Sequence, residues 1–245
     1  MCAAAFVLLG GVTHVMAQGK IAVKHNSRET AADSDEVQSA GGQTATAPAS
    51  EQTKVEAASY FYEFKQPEFY INHIVIEHDE TGRGKISFTR KDSEESLEES
   101  FELSPAALAR ITSLWDALRF IDSDTNYQSA KQFPHLGTMR LRMTRGGRSR
   151  EVEFNWTDNR DASALVNEYR RAADQSIFVF DIKLARELQP LEAPKLMDRL
   201  DTLYSRNGLS DPRQLIPLLR DLSTDERIPL IARNHAGRLL KKIEK

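Results

Sequence analysis

The stretch MRLRMTRGGRSREVEF, residues 139–154, decides how this chain folds, because its central Arg145-Gly146-Gly147-Arg148 holds the glycine pair that a tight two-residue turn prefers. Centring the turn there predicts a register. Leu141 then faces Val152 and Met139 faces Phe154 on an apolar side, while Arg142 faces Glu151 and Arg140 faces Glu153 on the other. Apolar pairing and charge pairing select the same alignment, and a slip of one residue would lose both.

Toward the N-terminus lies a second hairpin. Alternation over residues 69–78 puts Tyr70, Ile74 and Ile76 on one side of a strand and His73, Val75 and Glu77 on the other. The polar turn 79–84 leads into residues 85–90, where Ile86 and Phe88 alternate with polar neighbours. A further strand carries Leu97, Phe101 and Leu103 at even spacing. Ser104-Pro105 then starts a helix, a side-chain cap followed by the position that tolerates proline, with Leu108, Ile111, Trp115 and Leu118 as its apolar stripe.

Toward the C-terminus, Trp156 extends the apolar side of the glycine hairpin, and Thr157-Asp158-Asn159 supplies caps for a helix with Val166, Tyr169, Ala173, Ile177, Phe180, Leu184 and Leu188 at helical spacing. This is one long helix or two, and the run Ile177-Phe178-Val179-Phe180 also reads as a strand. After Pro194 the pattern is wholly helical: Leu196, Leu200 and Leu203 before a stop at Asn207-Gly208, then Leu215, Ile216, Leu219 and Leu222. A last helix follows with Ile228, Ile231, Ala232, His235, Leu239 and Ile243. The predicted fold is therefore α+β: an antiparallel sheet built from two hairpins plus a strand, covered on one face by helices (residues 60–190), followed by a small all-α segment (194–245).

The last two helices resemble a HEAT-type helical hairpin through Leu215, Pro217, Leu218-Leu219 and Leu222, then Ala232-Arg233, Ala236 and Leu240. The resemblance implies a scaffold that docks partners. It covers about 30 residues without a second copy at a fixed period, and solenoids need several, so a small bundle against the sheet domain is the competing expectation.

The N-terminal 59 residues have another character. An apolar run from Ala3 to Val15 ends in Val15-Met16-Ala17, the pattern of a signal peptide, so residues 1–17 read as a leader cleaved near Ala17-Gln18. The basic residue that normally precedes such a core is missing, as a start codon placed too far downstream would explain. Residues 18–59, rich in Ala, Ser, Thr, Gln, Glu and Asp, bury too little apolar surface to order themselves and read as a spacer. The single cysteine, Cys2, leaves with the leader, so an exported (periplasmic or secreted) mature chain would carry neither disulfide nor catalytic thiol.

Chemistry is sparse in this pattern. The segment 79–90 has Gly84 in the sixth place of a calcium loop, but Arg83 and Arg90 stand where ligands belong. Gly82-Arg83-Gly84-Lys85 lacks the spacing of a phosphate loop, and neither a Gly-X-Ser-X-Gly nor a His-Glu-X-X-His motif occurs. His73 and His78 fall on opposite faces of their strand, and His235 sits on an apolar stripe. Four residues remain as ligand-binding candidates: Arg145, Arg148 and Arg150 near the hairpin tip, and His135 in the loop 132–137. A net charge of −3 argues against general nucleic-acid binding, and no stretch is long and apolar enough to span a membrane. No catalytic residue, metal or cofactor is expected. The chain reads as an exported, non-enzymatic binding module for a protein or an anionic envelope polymer. An exported enzyme, such as a hydrolase with a site assembled from distant residues, is the alternative; a deep pocket lined by His135 and convergent carboxylates would favour it.

Overall fold

The computed structural model describes residues 57–245. The expected leader and residues 18–56 of the expected spacer lie outside the described residues. Strand β1 opens at Ala58, so it takes up the last two residues of the stretch read as spacer (Ala58–Lys65).

Six antiparallel strands form one sheet in the order β4-β3-β2-β1-β5-β6: β1, β2 (Ile71–Asp79), β3 (Arg83–Arg90), β4 (Ser96–Glu102), β5 (Thr138–Arg145) and β6 (Arg148–Phe154). The glycine hairpin β5–β6 has the predicted register, with Met139 opposite Phe154, Arg140 opposite Glu153, Leu141 opposite Val152 and Arg142 opposite Glu151. The sheet contains one strand beyond the two hairpins and the single strand that alternation reveals. That strand is β1, and it is the piece that joins the two hairpins, pairing with β2 on one side and β5 on the other. Its run Tyr60-Phe61-Tyr62-Glu63-Phe64 hides the period of two because Phe61 faces away from the core, where the Arg142 guanidinium covers its ring at 4.1 Å.

One face of the sheet carries the apolar residues Tyr60, Tyr62, Phe64, Ile74, Ile76, Ile86, Phe88, Met139, Leu141 and Met143, all buried. Helices α1 (Pro105–Ala117) and α2 (Arg160–Leu188) cover it. Ser104 caps α1 by accepting the Ala107 N–H at 3.1 Å, and Asn159 caps α2 by accepting that of Ala162 at 2.9 Å. The other face is charged, and Glu63 lies buried at its centre, with Lys65 Nζ at 2.7 Å, His73 Nε2 at 2.8 Å and Arg140 Nε at 3.3 Å. Burial opposes ionisation of Glu63, but hydrogen bonds from Lys65 and His73 and the nearby positive charges outweigh it and hold the carboxyl below its usual range.

Helix α2 is continuous for 29 residues, so the 177–180 run is helical. Four consecutive apolar residues fit a helix here because two cores meet across it. Ile177 belongs to the sheet core and Phe180 packs against it, while Phe178 belongs to a second core and Val179 packs against that one. The second core also contains α3 (Ala193–Ser205), α4 (Ile216–Thr224) and α5 (Leu230–Ile243), packed on the C-terminal part of α2 as a small bundle. Asn207 adopts φ +54° and the Gly208 N–H bonds the Leu203 carbonyl at 2.8 Å, which ends α3 where the sequence predicts. On α5 the buried row is Ala232, Ala236, Leu239 and Ile243, whereas Ile231, expected on that stripe, is 65% exposed. With the helix beginning at Leu230, Ile231 lies about 100° around the axis from Ala232 and faces solvent. Between α4 and α5, Asp225 accepts the Arg227 N–H at 3.0 Å and binds Arg186 of α2 at 2.8 Å, so these bonds, led by the Arg227 side chain, hold its carboxyl far below the usual range.

A polar cluster sits inside the sheet core. His78, Tyr169 and Trp115 are all buried; the Trp115 Nε1–H donates to the Tyr169 oxygen at 3.0 Å, and the Tyr169 oxygen lies 2.9 Å from His78 Nε2. His78 Nδ1 is 2.7 Å from the Asp79 carbonyl, which can only accept, so Nδ1 carries the proton and Nε2 accepts from the tyrosine. Burial lowers the His78 pKa below its ordinary 6.5, partly offset by the Asp79 carbonyl and carboxylate. The unfolded chain therefore takes up this proton first, so the His78 contribution is constant above about pH 6.5 and turns against the fold as pH falls below it. Asp174 and Asp181, whose pKa values burial raises, act with the opposite sign. Urea midpoints measured between pH 7.5 and 5.5 should fall less in His78→Asn than in the wild-type chain; parallel slopes would exclude His78 as the titrating group.

Candidate functional site

The four residues singled out from sequence do not converge. His135 stands exposed just before the start of β5, whereas Arg145 ends that strand, seven residues and about 23 Å beyond its first residue Thr138 at strand rise. Among the described residues the His135 ring meets Phe133 edge-on, and no carboxylate pairs with it. The arginines are engaged by the fold itself. Arg145 donates to the Tyr60 hydroxyl at 3.3 Å, and Arg148 pairs with Asp122 at 2.9 Å. Arg150 donates to the carbonyls of Phe120 and Thr125 at 2.8 and 2.6 Å while lying over the Phe120 ring. Arg148 and Arg150 tie the loop after α1 to the β6 edge, and Arg145 ties β5 to β1. The calcium-like segment is a turn: Asp79 Oδ1 accepts from the N–H groups of Thr81 and Arg83 and from the Thr81 hydroxyl.

A different constellation is concave and partly apolar. A groove of about 560 Å³ opens where the β2–β3 end of the sheet meets α2 and α3, lined by Tyr70, Arg90, Asp181, Leu184, Ala185, Leu188, Gln189, Glu192, Lys195, Leu196 and Arg199. That volume lies within the range of ligand sites. Its polar end is built around Asp181, a largely buried carboxylate on α2 that Arg90 of β3 pairs directly and that Arg199 of α3 reaches at 3.2 Å. The Arg90 guanidinium lies about 6 Å or less from the ring centres of Tyr70, Phe88 and Phe180, and its buried Nε has no partner among the described residues. Burial pushes the Asp181 carboxyl upward, and the two arginines pull it part of the way back.

The apolar end follows α2 toward its C-terminus. Since Asp181 touches Arg199 while Leu188 precedes the turn into α3, α3 runs back along α2, and the groove passes from charged residues at 181 and 199 to Leu184, Ala185, Leu188 and Leu196. Large apolar side chains stay uncovered here: Tyr70 is 58% exposed, Leu188 70% and the neighbouring Leu191 84%. The spacing that runs Ile177, Phe180, Leu184, Leu188 reads as one core-facing stripe, yet only its first part is buried, because the stripe outlasts the sheet beneath it. Leu184 and Leu188 become a groove wall, and they are the part of the site that sequence exposes, as an apolar stripe too long for its sheet. Tyr70, Arg90, Asp181 and Arg199 carry no such signal, since they come from four separate segments: the approach to β2, the end of β3, α2 and α3.

A second hollow of about 350 Å³ lies on the charged sheet face near Phe61, Glu77, Lys85 and Arg142. Arg142 is neutralised there by Glu77 at 3.4 Å and Glu151 at 3.5 Å, and the hollow is the shallower of the two. Among the described residues no group of three or more His, Cys, Asp and Glu is placed to hold a metal ion, and no helix is long and apolar enough to cross a membrane. Comparison with known proteins assigns no family to this geometry: no family model matches the chain, and no curated protein matches it.

Proposed function

We propose that this chain is an exported, non-catalytic binding module whose ligand site is the groove between the β2–β3 end of the sheet and helices α2 and α3. The observation that carries the reading is the pairing, in one concavity, of exposed Tyr70 and Leu188 with two arginines that share a single carboxylate, Asp181. Exposed apolar surface beside convergent charge is the pattern of a recognition site. The groove lining holds no Ser, Thr, Cys or His, and its central carboxylate, Asp181, is shared by two arginines rather than free to act as a base. Export rests on the leader-like residues 1–17 and on the lack of any cysteine after Cys2.

Fractionation with N-terminal sequencing, followed by photo-cross-linking in that compartment, tests the proposal. A mature chain beginning near Gln18 is expected outside the cytoplasm. A benzophenone side chain at Leu188 is expected to form an adduct that the same group at Arg148 does not, and the adduct should fade when Arg90 and Arg199 become Gln. A protein retained in the cytoplasm would overturn export, and equal adducts at both positions would overturn the groove. A second docking face, on the helical-scaffold reading, is favoured by Leu230 and Ile231, exposed side by side at the start of α5. A cross-linker at Ile231 probes it in the same experiment.

A further inference from the structure

We propose that the groove takes an aliphatic carboxylate, a single alkyl chain whose head group sits between Arg90 and Arg199 and whose tail lies along Leu184, Leu188 and Leu196. This rests on the groove being the ligand site and names the chemistry of its occupant.

Four observations lead to that class. The first is polarity along the groove axis, charged at Asp181 and aliphatic at Leu188, seven residues or about 10 Å further along α2. At the far end the Glu192–Lys195 pair is exposed to water, so buried charge lies at the Asp181 end alone, and an amphiphile with an anchored head has the same one-ended distribution. The second is the charge balance. Glu192 lies 3.8 Å from Lys195, and of the residues that line the groove Arg90 and Arg199 share the single carboxylate Asp181, one positive charge in excess at this end; Asp174, seven residues back on α2, also feels Arg199 but has Arg170 beside it as well. The buried Arg90 Nε has no acceptor among the described residues, and a guanidinium packed among aromatic rings interacts with an anion more strongly than one in water.

The third observation concerns the walls. They are helical from residue 181 to 188 and from 195 to 199, so they present no extended strand edge, and only the last turn of α2 and the first turn of α3 carry backbone groups without an intrahelical partner. An extended peptide would find no ladder partner there, whereas an alkyl chain asks for none. The fourth is the head-group geometry: both guanidiniums already address a carboxylate, Asp181, and the planar fork of arginine suits a second planar carboxylate better than it suits an alcohol.

Calorimetric titration of the full chain with decanoate tests this, with acetate, decyltrimethylammonium and decyl phosphate as comparisons. Decanoate is expected to bind one per chain, and acetate and decyltrimethylammonium at least about tenfold more weakly. Arg90→Gln combined with Arg199→Gln should weaken decanoate by about tenfold or more. Leu188→Asp, at a solvent-facing position that leaves both cores intact, should do the same, while Arg148→Gln at the hairpin tip leaves binding unchanged. Equal binding of decanoate and decyltrimethylammonium, or decanoate binding that survives both groove variants, would overturn the proposal; tighter binding of decyl phosphate would overturn the carboxylate head. Loss of decanoate binding with the Leu188 photo-adduct intact would reject the ligand class and leave the groove as the site. Loss of both would reject the site as well.

Discussion

Replacing Tyr169 by phenylalanine is expected to lower the stability of the fold by about 2–4 kcal/mol, measured as the free energy of unfolding in urea. The substitution keeps the ring, which stacks on Tyr62 with centres 5.0 Å apart, and removes only the hydroxyl. That hydroxyl accepts from the Trp115 indole and donates to His78 Nε2, and all three side chains are buried. Its loss orphans one buried donor and one buried acceptor, each costing about 1–3 kcal/mol when water cannot replace the partner. Trp115 also packs edge-on against Phe120, so the indole has little freedom to turn toward another acceptor. A change below about 0.5 kcal/mol would mean that water reaches the cluster and that His78 is not desolvated as its lowered pKa requires.

Gly84→Ala is expected to be at least as damaging, about 3 kcal/mol or more, although the position reads in sequence as an ordinary turn glycine. Gly84 pairs with His78 across the β2–β3 hairpin. A methyl group built on it would fall far inside van der Waals contact with the Glu77 carbonyl oxygen and 2.7 Å from His78 Cα. Both obstacles are backbone, so no rotamer change clears them. The strand would have to lift from β2, breaking ladder bonds and shifting the His78 cluster in the same motion. Gly147→Ala supplies the contrast, because nothing lies within 4 Å of its added carbon. There the cost is only that of a left-handed φ of +72°, about 1–2 kcal/mol. Equal losses in the two variants would show that the β2–β3 contact is looser than its geometry implies.

The parts of this fold that were legible in sequence share one property: the information lies within a few residues. The β5–β6 register follows from a glycine pair and two alternating patterns, and the helix starts at Ser104 and Asn159 follow from side chains three residues from the N–H groups they satisfy. β1 was harder to see, because Phe61 is covered by Arg142 from a strand some 80 residues later, and this long-range contact licenses an apolar residue on the open face. The candidate site was the least legible. Arg145, Arg148, Arg150 and His135 draw attention as unusual residues in a local window, but the tertiary structure gives each arginine a different partner and leaves His135 apart from them. The groove is made of ordinary residues, and its meaning lies in their juxtaposition.

By itself, then, the sequence determined five of the six strands, the helix starts, the hairpin pairing and the α+β class, because capping, turn chemistry and the periods of two and 3.6 act between near neighbours along the chain. Only the tertiary structure decided that β1 unites the two hairpins, that α2 serves two cores at once, and that its stripe runs past the sheet to leave Leu184 and Leu188 beside Arg90, Asp181 and Arg199. These outcomes depend on where elements end relative to one another in space. Burial is a property of the assembled layers, and no local pattern carries it.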